Sequence, residues 1–185
     1  MVFALLGRWL YRSRQFFAAL GVGTRVSRDD MREARRVLGP DLDRVFAARP
    51  HPYRRHGLSV YRRVREAGGS GESLLQGTLL HDSGKYDPGS GRHVTVLHRV
   101  VVVLLESVPV GRPLLEWLSR ERAARGFTGY LLYPFYLSKH HPRLGAQTAA
   151  NHGASPELIR LIAEHQHPNA TDDNLRCLQA ADDRS

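Results

Sequence analysis

The spacing of apolar and polar residues along the chain predicts a succession of α-helices. Apolar positions recur at intervals of three and four residues, and glycine or proline separates one such segment from the next. The predicted helices cover residues 27–37, 41–48, 54–67, 72–82, 93–106, 113–125, 127–139, 142–152, 155–165 and 174–183. We therefore expect an all-α domain.

Particular residues mark the ends of these predicted helices. Ser27 opens a capping-box pattern, and Ser155 precedes a proline at the first helical position, which is a strong start signal. We expect Thr171 to cap the last helix and Pro134 to break the helix in which it lies. These signals set the expected boundaries of the bundle.

Two segments between residues 87 and 106 are less regular than the rest. Residues 87–91 contain proline and two glycines and are typical of a loop. Residues 93–106 are rich in valine, which suits a strand as well as a helix. The length of this segment and its helical neighbours favour a buried helix.

The first residues of the chain form an amphipathic pattern. Phe3, Leu6 and Leu10 recur at helical spacing, and Arg8 interrupts the unbroken apolar stretch that a secretory signal needs. We interpret residues 1–49 as a basic N-terminal helical segment and residues 50–185 as the main domain. The N-terminal amphipathic helix either docks on the protein's own core or lies in a membrane interface.

The charge is concentrated in the first third of the chain. Residues 1–65 hold 15 arginines and five acidic residues, whereas residues 66–185 hold 12 basic and 13 acidic residues. This distribution favours anionic partners such as nucleotides, nucleic acid or an anionic membrane surface. The single cysteine, Cys177, excludes an intramolecular disulfide framework, and we expect a cytoplasmic protein, either soluble or peripheral to a membrane.

The strongest candidate chemistry lies in residues 79–85, which read LLHDSGK. Neighbouring residues on a helix differ by about 100° in direction, so His81 and Asp82 can both reach one ion beyond the helix end. Gly84 allows a sharp turn, and Lys85 then places a positive charge where a phosphate oxygen would lie. The segment predicts a metal site that faces a phosphate.

From residue 50 onward the chain resembles the HD-domain superfamily of metal-dependent phosphohydrolases. That family has an isolated histidine, a His-Asp pair about 25 residues later and a distant aspartate, and here His56 precedes His81 by 25 positions while Asp182 fits the aspartate. Many members carry two further histidines, one of which opens a His-Pro-x-x-Gly-Ala segment. Residues 141–146 read HPRLGA, and His165 fits the second histidine.

The resemblance implies an HD-domain-like helical bundle and a nucleotide or other phosphorylated small molecule as substrate. It implies that Asp82 bridges two ions, that a metal-bound hydroxide attacks the phosphoryl group, and that Lys85 stabilises the developing charge. Arg55 and Arg143 are further candidates for holding phosphate. The implied metal ligands are His56, His81, Asp82, His141, His165 and Asp182.

Imidazole and carboxylate ligands without a thiolate suit iron, manganese, cobalt, nickel or zinc better than magnesium. One or two divalent ions fit this ligand set. The neighbouring His140 and His167 remain alternatives to His141 and His165, and Asp183 remains an alternative to Asp182.

Two other functions compete with hydrolysis. One is a metal-holding regulatory or binding module without turnover. The other is a protein that binds nucleic acid or a membrane surface through the arginine-rich residues 1–65. The sequence leaves the type of phosphate bond that is cleaved open.

Overall fold

Eight α-helices and one small hairpin make up the part of the chain that the computed structural model describes, residues 26–121, 126–170 and 172–185. A 3₁₀ turn at Ser83–Lys85 and an antiparallel pair, β1 (Tyr86–Asp87) and β2 (Arg92–His93), lie between α3 and α4. The predicted all-α class is therefore confirmed. The helices are α1 (Arg28–Ala47), α2 (His51–Glu66), α3 (Glu72–Leu80), α4 (Val96–Glu106), α5 (Gly111–Leu118), α6 (Gly126–Asn151), α7 (Pro156–Glu164) and α8 (Asp173–Asp182).

The caps of the helices agree with the sequence at two of the three predicted positions. The Ser27 side chain accepts a hydrogen bond from the Asp30 amide, and the Asp30 side chain accepts one from the Ser27 amide. The Ser155 side chain caps α7 by accepting a hydrogen bond from the Leu158 amide. The cap of α8 is Asp172 rather than Thr171, which itself lies outside the described residues. The N-terminal amphipathic helix predicted before residue 26 also lies outside them.

The predicted breaks differ in their outcome. The sequence predicted separate helices at 27–37 and 41–48. In the structure they are two segments of the single helix α1, which is kinked at Gly39, where φ is 69°. The break expected near Pro134, and the separation of helices 127–139 and 142–152, are wrong because α6 runs continuously through both Pro134 and Pro142. Proline has a helical φ and removes only its own N–H, so a helix can continue when the freed carbonyl finds another donor.

The valine-rich segment is a helix, α4, but the prediction that this helix is buried is wrong. Each of its side chains is partly or fully exposed. The loop expected at 87–91 is the connection of the β1–β2 hairpin, in which Asp87 accepts hydrogen bonds from Gly89 and Ser90. A helical period does not by itself tell which neighbour will cover the apolar face.

Two adjoining apolar clusters around α3 form most of the core, and a third, smaller cluster joins Val94 to Tyr136 and Leu137. The first joins α1 to α2, α3, α6 and α7, and Phe46, Leu79 and Ile162 are among its fully buried members. The second joins α2, α3, α7 and α8 through residues such as Leu161 and Leu178. Residues on both sides of the predicted boundary at 49/50 therefore share one core, which holds the C-terminal end of α3 at the centre.

The exposed large apolar residues of the described chain come from one stretch of the sequence. They lie between positions 96 and 131, on α4, α5, the segment between them and the first turns of α6. Within the described residues, no helix combines the length and apolar character that crossing a membrane requires. The exposed large apolar residues are Val96, Leu97, Leu104, Val108, Val110, Leu114, Trp117, Phe127, Tyr130 and Leu131.

Candidate metal centre

Five helices and the turn after α3 bring the six predicted metal ligands together. His56 lies in α2, and His141 lies in α6. His81 and Asp82 directly follow α3, His165 directly follows α7, and Asp182 is the last residue of α8. The helix ends of a bundle thus converge on one buried position.

The first group of ligands surrounds Nε2 of His81. The Nε2 atoms of His56 and His81 lie 3.2 Å apart, and Oδ1 of Asp182 lies 2.9 Å from the former and 3.3 Å from the latter. The carboxylate of Asp82 lies slightly farther away, with Oδ2 3.7 Å from His56 Nε2 and Oδ1 3.7 Å from His81 Nε2. His56, His81 and Asp82 form a group that could hold one ion, and the Asp182 carboxylate lies close to both of its imidazoles.

The second group shares the carboxylate of Asp82. Its Oδ1 lies 3.4 Å from Nε2 of His141 and 3.7 Å from Nε2 of His165, and these two nitrogens are 3.2 Å apart. Asp82, His141 and His165 are all buried. Asp82 therefore belongs to both groups, with one histidine pair on each side.

In three of the histidines, a hydrogen bond from Nδ1 to the backbone fixes the orientation of the ring. Nδ1 lies within hydrogen-bond distance of the backbone carbonyl three residues earlier, at 3.0 Å in His81, 2.7 Å in His141 and 2.8 Å in His165. Since a carbonyl only accepts, Nδ1 carries the proton in each ring, and in the neutral form of the ring Nε2 is then free to bind a cation. This outer hydrogen bond is typical of metal-ligating histidines.

The local sequence explains why these carbonyls are available. The last carbonyls of a helix have no intrahelical donor. For this reason the Thr78 carbonyl is free to accept from His81, and the Ile162 carbonyl is free to accept from His165. His141 lies inside α6, but Pro142 has no N–H to donate to the Ser138 carbonyl four residues earlier. The His-Pro pair thus creates inside a helix the same free acceptor that the other two histidines find at helix ends.

The resulting set of donor atoms fits a divalent cation. The Nε2 atoms of His141 and His165 face each other at 3.2 Å, close enough for both to bind one cation together with Asp82. Oδ1 of Asp82 is buried, and it receives no hydrogen bond within the described residues. Although Nζ of Lys85 lies 2.8 Å from this oxygen, a buried carboxylate oxygen that accepts no hydrogen bond is costly, and a bound cation would offset that cost.

Lys85 contacts the Asp82 carboxylate and also lines the adjacent cavity. Its Nζ lies 2.8 Å from both oxygens of Asp82 and donates to Oδ2. Burial by itself would raise the pKa of Asp82, but the positive charges of Lys85 and His81 hold that pKa well below its usual range. Asp82 is therefore ionised and available as a ligand at neutral pH.

The other ligands show how strongly the centre favours positive charge between its carboxylates. Burial would lower the pKa of His81, but the nearby Asp82 and Asp182 raise it. The pKa of Asp182 lies below its usual value because His81 and His56 outweigh its own burial. Burial, followed by the charge of Lys85, lowers the pKa of His141 and keeps that ring neutral.

Two glycines allow the turn that carries Lys85 to touch α6. A Cβ at Gly84 would lie 2.2 Å from the carbonyl oxygen of His141, and one at Gly145 would lie 2.8 Å from Oγ of Ser83. Arg49 is also buried, and it donates a hydrogen bond to the Leu79 carbonyl at the end of α3. Burial lowers the pKa of Arg49 to about 10.

The remaining predicted residues lie apart from the ligand cluster. His140 packs against the ring of Tyr136, and the exposed His167 contacts the Asn169 carbonyl, so the described groups contain His141 and His165 instead. Arg143 donates to the Tyr136 hydroxyl and lines a separate surface cavity. Arg55 is half-buried beside His56 on α2.

A cavity of about 400 Å³ adjoins the centre on the side of Lys85 and His141. Its other walls come from α4, α5 and α6, and they include Arg99 and the buried Ser119. The sequence interpretation did not find these residues, because nothing in their local pattern separates them from ordinary helix positions.

Comparison with family models, with curated proteins and with solved structures finds no match for this chain.

Proposed function

We propose that this protein is a metal-dependent phosphohydrolase of the HD-domain type that acts on a nucleotide or another phosphorylated small molecule. The observation that carries this proposal is the position of Asp82, a buried carboxylate shared by two groups of imidazole ligands and bound to Lys85 at the edge of a cavity. A site that only stored metal would not need a cation directed to adjacent open space.

Two divalent ions fit the two groups. His56, His81 and Asp182 would hold one, His141 and His165 would hold the other, and Asp82 would bridge them. The absence of thiolate among these ligands favours iron, manganese, cobalt, nickel or zinc. Such ions polarise a phosphoryl oxygen and lower the pKa of bound water towards neutrality.

The chain's own residues orient the phosphate. Lys85 keeps Asp82 ionised and is one of the residues that line the cavity, so an N–H of its ammonium group that Asp82 does not use can donate to a phosphoryl oxygen. Because only 15% of the Lys85 side chain is exposed, this charge acts in a medium that screens it less than bulk water does. We infer that Lys85 stabilises the charge that develops on the transferred phosphoryl group.

The cavity has the size of a small-molecule site. Ligand pockets in proteins commonly measure about 300–1,000 Å³, and the volume here is about 400 Å³. A nucleoside phosphate or a compound of similar size fits this space, whereas a folded macromolecule would reach it only with a protruding end.

The test is metal content and hydrolysis measured on the same preparations. The protein is purified without oxygen, its metal ions per chain are determined, and it is assayed against a panel of nucleoside phosphates and simple phosphate esters. Asp82→Asn removes the shared ligand charge with little change in shape. His140→Ala is the matched control because it removes the neighbouring histidine outside the cluster.

We expect about two ions per chain and hydrolysis of at least one panel member. Asp82→Asn should lower both to near background, while His140→Ala should retain both. Metal bound without any hydrolysis would favour the metal-holding module instead. Hydrolysis that survives Asp82→Asn would refute the proposed role of the centre.

A further inference from the structure

The cavity beside the metal centre has walls of mixed chemistry. Val94, Val102 and Phe135 supply apolar surface, and the charged side chains come from the turn after α3 and from three helices. Within the described part of the chain, the charged lining residues are Lys85, Arg99, Glu106, Glu116 and Lys139. The question is which of these charges remain available to a ligand.

Lys139 and Glu116 largely satisfy each other. The ammonium group of Lys139 donates to the Glu116 carboxylate across the gap between α6 and α5. Glu106 is exposed at the end of α4, two helical turns from Arg99. Of the positively charged residues that line the cavity in the described chain, Lys85 and Arg99 therefore remain to interact with a ligand.

A series of contacts holds Arg99 on the same side as Lys85. The Val94 amide donates to the Lys85 carbonyl at 3.0 Å, and the Tyr53 hydroxyl donates to the Val94 carbonyl. The guanidinium of Arg99 lies 5.6 Å from the centre of the Tyr53 ring. Arg99 also forms a side-chain hydrogen bond with Tyr53, and the remaining N–H groups of its guanidinium can donate to an anion.

A buried serine, Ser119, forms another part of the cavity wall. Its residue surface is 2% exposed, it lines the cavity, and no group in the described residues forms a hydrogen bond with its Oγ. A buried hydroxyl without a partner is costly, so its presence indicates that something else satisfies it. A ligand oxygen in the cavity would do so.

We propose that this cavity binds a second anionic group of the substrate, next to the phosphoryl group at the metal centre. Arg99 would bind the second anion and the Ser119 hydroxyl would donate to an oxygen of the ligand. The substrate class is then a small molecule with two linked phosphoryl groups, as in a nucleoside diphosphate or longer polyphosphate. This inference rests on the proposed function, because it takes the metal centre as the place of the first phosphoryl group.

The first experiment measures binding without turnover. Calorimetric titration of the metal-loaded protein, with free Mn²⁺ in excess, compares methylenediphosphonate with methylphosphonate, which carry two anionic groups and one. Arg99→Met and Ser119→Ala test the two residues. Arg112→Met is the matched control, since Arg112 is an exposed arginine of α5 that does not line the cavity.

We expect the diphosphonate to bind at least about tenfold more tightly than the monophosphonate, the size of effect that one charge-assisted hydrogen bond supplies. Arg99→Met should abolish this preference and leave the metal content unchanged. Ser119→Ala should weaken diphosphonate binding about threefold or more without lowering the melting temperature, since the hydroxyl has no described protein partner to lose. Arg112→Met should behave as the parent protein.

Equal affinities for the two probes, no binding of either, or an Arg99→Met variant that weakens both equally would each overturn the inference. Hydrolysis assays separate this outcome from failure of the proposed function. Diphosphonate binding that depends on Arg99 in a protein that hydrolyses nothing would leave the anion site standing and remove the hydrolase. Hydrolysis of nucleoside diphosphates with a KM unaffected by Arg99→Met would do the reverse.

Discussion

Gly84 is the residue at which the metal centre is most sensitive to a single added carbon. The turn that carries Lys85 lies directly on the backbone of α6, and a Cβ at position 84 would approach the His141 carbonyl oxygen to 2.2 Å. The carbonyl belongs to a helix that also holds a ligand, so relieving the clash moves the ligand. The residue therefore links packing to metal affinity.

We predict that Gly84→Ala lowers the free energy of unfolding by about 1–3 kcal/mol, the usual cost of overpacking, and reduces bound metal. Gly77→Ala, in α3, is the control, because a Cβ there would lie 3.7 Å from its nearest neighbour, the side chain of Leu161. Alanine is favoured over glycine inside a helix by about 1 kcal/mol, so the control should be neutral or stabilised. Urea denaturation and metal analysis of both variants provide the measurement, and equal behaviour of the two would contradict the packing argument.

Pro142 acts on the neighbouring ligand through a hydrogen bond that it cannot make. Replacement by alanine restores an N–H that points at the Ser138 carbonyl, the acceptor that now orients His141. We predict that Pro142→Ala weakens metal binding about tenfold, the lower end of the effect of losing an outer partner, without destabilising α6. Competition with a chromogenic chelator measures the affinity.

Pro134 offers the matched control for that variant. It lies in the same helix, and the chain contains no histidine at position 133 or 135 whose ring it could orient. Pro134→Ala should therefore leave the metal dissociation constant unchanged. If both variants lost affinity equally, the shape of α6 rather than the Ser138 carbonyl would be responsible.

At the scale of the element, the start of α1 is a self-contained unit in which hydrogen bonds and charge cooperate. Ser27 and Asp30 satisfy each other's backbone amides, and Arg62 of α2 pairs with the Asp30 carboxylate. Burial opposes the charge on Asp30, but the hydrogen bonds from Ser27 and the pair with Arg62 lower its pKa from 3.8. Ionised Asp30 thus stabilises both the cap and the contact between α1 and α2.

A lowered pKa in the folded state means that the contribution is present above the ordinary pKa and is lost as the pH falls through the folded value. We predict that Asp30→Asn is less stable than the parent protein at pH 7 and that the difference shrinks as the pH falls below about 4, the ordinary pKa of an aspartate. Denaturant titrations of the two proteins across that range measure it. A difference that stayed constant with pH would show that the charge of Asp30 plays no part.

At the scale of the whole molecule, the metal centre connects helices that are far apart in sequence. Its six candidate ligands come from α2, the end of α3, α6, the end of α7 and α8. Ions that bind the folded state alone stabilise it by an amount that grows with the logarithm of their concentration, about 2.7 kcal/mol at a hundred times the dissociation constant. The metal should therefore act as a cross-link of the bundle.

We predict that removing metal with a chelator lowers the melting temperature and that adding back Mn²⁺ restores it. Asp82→Asn should melt at a temperature that hardly depends on metal, because it lacks the shared carboxylate charge. Differential scanning fluorimetry with and without chelator measures both. A parent protein with the same melting temperature in the two conditions would contradict this role of the centre.

Most of what the sequence predicted correctly depends on residues within a few positions of each other. Ser27 and Ser155 cap their helices because the bonds involved span three residues, and the bend at Gly39 follows from the φ of 69° that glycine accepts easily. The ligand residues could be proposed because imidazole and carboxylate at those spacings follow the pattern of a known family. The sequence did not decide between His140 and His141, since both neighbours carry the same group.

By itself, then, the sequence determined the helical class, most of the helix boundaries and a short set of candidate ligands, because propensity, capping and side-chain chemistry act locally. Only the tertiary structure decided that His141 and His165 face Asp82 while His140 faces Tyr136, because the packing of α6 on α7 sets that rotation. It also left α4 exposed and made Arg99 and Ser119 neighbours of the metal centre. Those relations arise where α4, α5 and α6 meet, and contacts across such distances in the chain leave no mark on local sequence patterns.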